Sequence, residues 1–108
     1  MDINTHLEAR RQKQAQDLAL RDFHAKVCEL LESERRQELL RKAQERIRLW
    51  ETRKLCSSYF IRHWTAVLSS QSTDKFKSLI LDPNSKHALG LMQNTPFSFL
   101  ISETKNGA

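Results

Sequence analysis

Glu32-Ser33-Glu34-Arg35-Arg36-Gln37-Glu38 is the stretch on which the fold turns, because it carries no apolar side chain and separates two hydrophobic stripes. Upstream, Leu20, Phe23, Val27, Leu30 and Leu31 share one helix face at i, i+3, i+7, i+10 spacing. Downstream, a heptad repeat places Leu40, Ile47, Lys54, Ile61 and Leu68 on one line and Ala43, Trp50, Ser57 and Trp64 on the next. The two stripes are out of phase. Extending positions 20 and 27 by one heptad leads to Glu34, whereas the later repeat extrapolates back to Ser33.

Two structures satisfy that phase change. A break near Ser33 lets the stripes face each other as a helical hairpin, and an unbroken helix turns a second face to a partner in coiled-coil fashion. Glu, Arg and Gln are strong helix formers, and no Gly, Pro or Asn supplies a turn, which favours continuity. An unbroken helix from Thr5 to Leu68, however, is roughly 95 Å long at 1.5 Å per residue and buries none of its own stripe. The expectation is two helices.

Thr5-His6-Leu7-Glu8 has the S/T-x-x-E capping form and marks the start of the first helix, whose arm to Gln16 is poor in apolar residues and expected to fray. Cys56-Ser57-Ser58 interrupts the heptad with small polar residues. After it, Tyr59, Phe60, Ile61, Trp64, Val67 and Leu68 form the most apolar stretch and the expected centre of the core. Ser72 or Thr73 caps a short helix bearing Phe76, Leu79, Ile80 and Leu81, which Asp82-Pro83-Asn84 stops. Ser85 caps another turn, from Lys86 to Leu91, with Gly90 as its end signal. Thr95-Pro96 starts a third, with a strand as the alternative for Phe97 to Ile101. The tail from Ser102 to Ala108 is expected to be disordered.

With only two glycines and two prolines in 108 residues, the first of these being Pro83, the chain lacks the punctuation of hairpins and sheets, and an all-α fold follows. A hydrophobic content of 39% supports a modest core and leaves room for a partner chain. Net charge is +5 and the pI near 9.6, which favours an anionic partner. The excess concentrates between Arg41 and Arg62, where Arg41, Lys42, Arg46, Arg48, Arg53, Lys54 and Arg62 face only Glu45 and Glu51. A solvated helix face explains the same residues equally well.

Cys28 and Cys56 lack the C-x-x-C spacing of a zinc or redox site and read as packing residues in a reducing compartment. Met1 to Gln14 is polar and no apolar run spans a bilayer, so a cytoplasmic location without membrane attachment is expected. His6, His24, His63 and His87 are scattered. His24 and Cys28 share a helix face, but two ligands do not make a zinc site, and no glycine-rich phosphate loop occurs. No catalytic residue, metal, cofactor or small-molecule substrate is indicated, and the expectation is a non-enzymatic protein.

Asp82-Pro83-Asn84, Ala88-Leu89-Gly90 and Thr95-Pro96 followed by Leu100 resemble the carboxy-terminal toxin-binding segment of the Xre and ParS type antitoxins, where a proline-asparagine turn, an alanine-leucine-glycine and a proline-led helix occur in that order. The resemblance implies an adaptor that binds a partner protein. It covers under a quarter of the chain, lacks the second glycine of that pattern, and inserts Met92-Gln93-Asn94 before the threonine. No DNA-binding module lies upstream, and the same residues serve equally as helix stops and caps.

The sequence therefore predicts one helical domain over residues 1–108, with a long helical portion over 5–68 and short helices over 72–101 packed on it. Its leading function is a small helical interaction or regulatory protein that presents a basic surface to a protein partner or to a second copy. The candidate binding residues are Arg41, Lys42, Arg46, Arg48, Trp50, Arg53 and Lys54. The main rival is a nucleic-acid-binding regulator that uses the same residues for phosphate contacts, although no helix-turn-helix signature is legible.

Overall fold

The computed structural model describes the backbone of residues 3–101 and the side chains of residues 8–101, and it is all-helical over that range. Helix α1 spans Ile3–Leu31, α2 Arg36–Arg53 and α3 Ser58–Ser69. A single α-helical turn, α4 (Asp74–Phe76), runs directly into a π-helical turn, Lys77–Leu81, and α5 covers Ala88–Gln93. Hydrogen bonds from Leu100 N to Phe97 O (2.9 Å) and from Ile101 N to Ser98 O (3.0 Å) make the last described residues a helical turn and not a strand. The expected tail, 102–108, lies outside the described residues.

The break between α1 and α2 falls at Ser33. Its hydroxyl donates to Leu30 O (2.6 Å) and accepts from Arg35 N (3.2 Å), so one side chain satisfies an orphan carbonyl of α1 and an amide leading into α2. Serine does here what glycine or asparagine usually does. The hairpin is then tied across to α4: Thr73 Oγ1 donates to Glu32 Oε2 (3.0 Å), and Lys77 Nζ to the same oxygen (3.3 Å). Those bonds, with the Lys77 charge, hold the Glu32 carboxyl below its usual range. Thr73 is thus occupied away from its own helix, and it is the Ser72 hydroxyl that accepts from Asp74 N (3.3 Å).

Two other expectations change. The first helix is regular from Ile3, so Thr5 lies inside it and not at its boundary, and the arm is helical because Ala, Gln, Glu, Arg and Lys are all good helix formers. Gly90 does not end α5, which continues to Gln93. A Cβ at position 90 would come within 3.0 Å of Phe60 Cε1, so glycine serves close packing of α5 on α3.

The heptad from Leu40 to Leu68 is divided as its polar interruption suggested. Helix α2 ends at Lys54 in the left-handed region (φ 54°, ψ 42°), and α3 begins after Ser57, whose hydroxyl accepts from Tyr59 N (3.1 Å). Leu39, Ala43 and Ile47 of α2 are buried, as are Trp64, Val67 and Leu68 of α3. Val27, Cys28 and Leu31 of α1 join them from one side, and Phe76, Ile80, Ala88, Leu91, Met92, Phe97 and Leu100 from the other. Burial pushes the Cys28 thiol up, consistent with a neutral packing residue. Ala88 and Leu100, two residues that carried the antitoxin resemblance, are core residues here.

At the centre, Trp64, Phe76 and Phe97 meet edge to face at 5.8–6.3 Å between centroids. His24 is fully buried against them, its ring 6.1 Å from Trp64 and 6.4 Å from Phe76. Its Nδ1 lies 2.8 Å from Leu20 O, and because a carbonyl only accepts, Nδ1 carries the proton. Nε2 therefore accepts from Thr95 Oγ1 (2.9 Å), which in turn accepts from Phe97 N (3.2 Å). Trp64 Nε1 donates to both Leu91 O (3.1 Å) and Asn94 O (2.8 Å). Among the described residues, no buried side-chain polar atom lacks a partner.

Two outcomes are expected. Trp64→Ala should cost about 3–5 kcal/mol in urea unfolding, through the cavity and the orphaned carbonyls. Burial lowers the His24 pKa from 6.5 to about 4, so between those values the unfolded chain binds a proton that the folded chain does not. Stability is then full above pH 6.5 and falls on acidification by about 3 kcal/mol as pH approaches 4. Unfolding measured between pH 7 and 4.5 should show this slope in the parent chain and lose it in His24→Gln.

Candidate basic interface

At 3.6 residues per turn, Leu39, Ala43, Ile47 and Trp50 form the inward stripe of α2, and Lys42, Arg46, Leu49 and Arg53 fall within about 60° of one another on the flank beside it. Arg41 and Arg48 point from the opposite, outward side. The seven candidate residues thus do not form one patch. Trp50 is half-buried against the core, where the stripe places it, and Lys54 sits in the turn after the helix.

Ion pairing separates these residues further. Glu38 accepts from Arg35 Nε (3.1 Å) and from Lys42 Nζ (3.2 Å), bonds that hold its carboxyl below the usual range. Arg41 pairs with Glu45 at 3.0 Å. Exposed pairs of this kind contribute little to stability, but they take Arg41 and Lys42 partly out of the free charge. Arg36 is a structural cation whose guanidinium donates to Ser70 O (3.1 Å) and Gln71 O (2.8 Å) at the end of α3. No described ion pair involves Arg46, Arg48, Arg53 or Lys54.

The carboxy-terminal turn completes the flank. Phe99 lies half-buried under Lys42, whose Nζ is 5.6 Å from the ring centroid. Lys42, Glu45, Arg46, Leu49 and Phe99 line an open groove of about 500 Å³. Leu49 and Phe99 supply its apolar floor and Lys42 and Arg46 its cationic wall. Neither Leu49 nor Phe99 stood out in the sequence. Leu49 is off the heptad lines, and Phe99 is some fifty residues away and reads as an ordinary member of the last helix.

Comparison with protein-family models, with curated proteins and with solved structures finds no match. No helix among the described residues is long and apolar enough to cross a membrane. No group of three or more His, Cys, Asp or Glu side chains that could hold a metal ion occurs among them.

Lys54 is the one non-glycine residue with positive φ among those described. Its amide donates to Trp50 O, closing the helix in the position where glycine is favoured. Lys54→Gly should preserve the turn and raise stability by up to about 1 kcal/mol, relief of side-chain strain being partly offset by the entropy of glycine. Chemical denaturation checks the sign.

Proposed function

We propose that this chain is a non-enzymatic interaction module whose α2 flank receives an acidic segment of a protein partner. One observation carries the reading: the groove joins an apolar floor, Leu49 and Phe99, to a cationic wall whose Arg46 has no acidic partner. Such a site suits a peptide that presents an apolar anchor flanked by carboxylates, since the anchor gains from desolvation and the carboxylates from hydrogen bonding to arginine. Arg53, about one turn beyond Leu49 on the same flank, extends the positive track.

Nucleic acid is the rival, and its demands differ. Phosphate binding needs several unpaired cations along one line, whereas here Arg41 and Lys42 are engaged with Glu45 and Glu38, and Glu45 lines the groove itself. Glu45 repels either anion, so it is the apolar floor of Leu49 and Phe99, which can seat a hydrophobic anchor and has nothing to offer a phosphate backbone, that favours a peptide.

The two readings part in one titration. A labelled glutamate-rich helical peptide with a central Phe, a DNA duplex and an RNA duplex are each added to the chain at low and at physiological salt, and anisotropy is followed. The peptide should bind, and Arg46→Glu with Arg53→Glu should weaken it roughly tenfold or more. Leu49→Ala should weaken it as well, with the helical circular dichroism unchanged. Failure of the peptide to bind at low salt, or duplex binding that falls steeply with salt while the peptide shows none, overturns the proposal.

A further inference from the structure

The four histidines, scattered in the sequence, are not scattered in the fold. His63 on α3 and His87, immediately before α5, lie with ring centroids 4.7 Å apart and planes inclined by 32°. Tyr59, one helical turn before His63, packs on both, at 4.4 Å from the His63 ring and 5.7 Å from the His87 ring. The rings of His63 and His87 are half-buried and reach solvent, unlike that of His24.

The hydrogen bonds leave one nitrogen of each ring uncommitted. His63 Nδ1 is 2.8 Å from Tyr59 O, so it carries the proton, and Nε2 keeps its lone pair. His87 Nδ1 is bonded to the Tyr59 hydroxyl, and no partner is described for its Nε2. An imidazole with one N–H anchored on an oxygen acceptor and the other nitrogen bare is the arrangement in which histidine binds a metal, since the outer bond fixes both tautomer and ring orientation.

We propose that His63 Nε2 and His87 Nε2 bind a divalent transition-metal ion of the nickel or copper class, with Tyr59 as the residue that orients both rings. Neutral imidazole suits these borderline ions, and the absence of a carboxylate in the trio does not suit calcium or magnesium. Metal–nitrogen bonds of about 2.0–2.1 Å need the two Nε2 atoms within roughly 4 Å of each other, and the ring centroids lie 4.7 Å apart. Two protein nitrogens leave the remaining positions to water, so the ion is accessible from solvent. His87 Nδ1–H donates to the Tyr59 oxygen when its Nε2 is metallated.

The test uses the full chain and nickel(II) chloride in isothermal titration, with imidazole resonances followed by NMR. One ion should bind per chain, and nickel should selectively perturb the ring signals of His63 and His87 while those of His24 stay unmoved. His63→Gln and His87→Gln should each lose roughly tenfold or more in affinity. Tyr59→Phe, which keeps the stacking and removes the hydroxyl, should weaken binding by about tenfold while leaving both ligands in place. Metal-free thermal unfolding serves as the check that each variant is folded. Undiminished affinity in the double glutamine variant, or perturbation confined to other residues of the parent chain, overturns the proposal. The NMR arm decides even where a variant does not fold.

Discussion

The structure depends on a hydrogen bond between the fully buried His24 Nε2 on α1 and the half-buried Thr95 Oγ1 in the loop after α5. Neither group tolerates burial alone. A buried imidazole without partners costs several kcal/mol, and here each nitrogen is satisfied, one within its own helix and one across the core. The consequence is positional, because Thr95 must sit where Nε2 can reach it and thereby sets Pro96 and Phe97 in place. Trp64 does the same from α3 by donating to Leu91 O and Asn94 O. Two buried donor–acceptor systems therefore register the carboxy-terminal third against the first and third helices, while the surrounding aromatic contacts supply most of the burial energy without fixing direction.

That registration also creates the surface. Phe99 reaches Lys42 because Phe97 is locked inward two residues earlier, and the groove beside α2 exists only when the last turn is docked. The His63–His87 pair has the same origin. Packing of α5 on α3, made close by Gly90 against Phe60, brings His87 over His63. Both surface features are by-products of how one short helix seats on the hairpin, and neither belongs to a single secondary-structure element.

Much of the fold was legible in the residues. The polar gap at 32–38 and the interruption at 56–58 mark the two breaks, and Trp64, Val67 and Leu68 are the core that their apolar surroundings indicate. The misreadings have local causes. Glycine at 90 reads as a helix end because the usual reason for glycine is backbone freedom, whereas here the reason is a neighbour in space, Phe60. Propensity over 32–38 argues for continuity against the break at Ser33, because serine ends a helix only when its hydroxyl finds both a carbonyl and an amide, which propensity does not record. Basic residues that looked alike on a heptad diagram separate into paired, structural and free ones only when side-chain geometry is known.

By itself the sequence determined the class of fold, the two places where the long helical portion is interrupted and the excess of positive charge on α2, because hydrophobic phase, helix propensity and charge act over a few neighbouring residues. Tertiary structure alone decided which of those charges are free, that Leu49 and Phe99 share a groove with Lys42 and Arg46, and that His63 meets His87 across 24 positions. Such meetings follow from how two separately formed helices pack, and packing depends on the combined shape and polar satisfaction of the whole core, a quantity no local pattern carries.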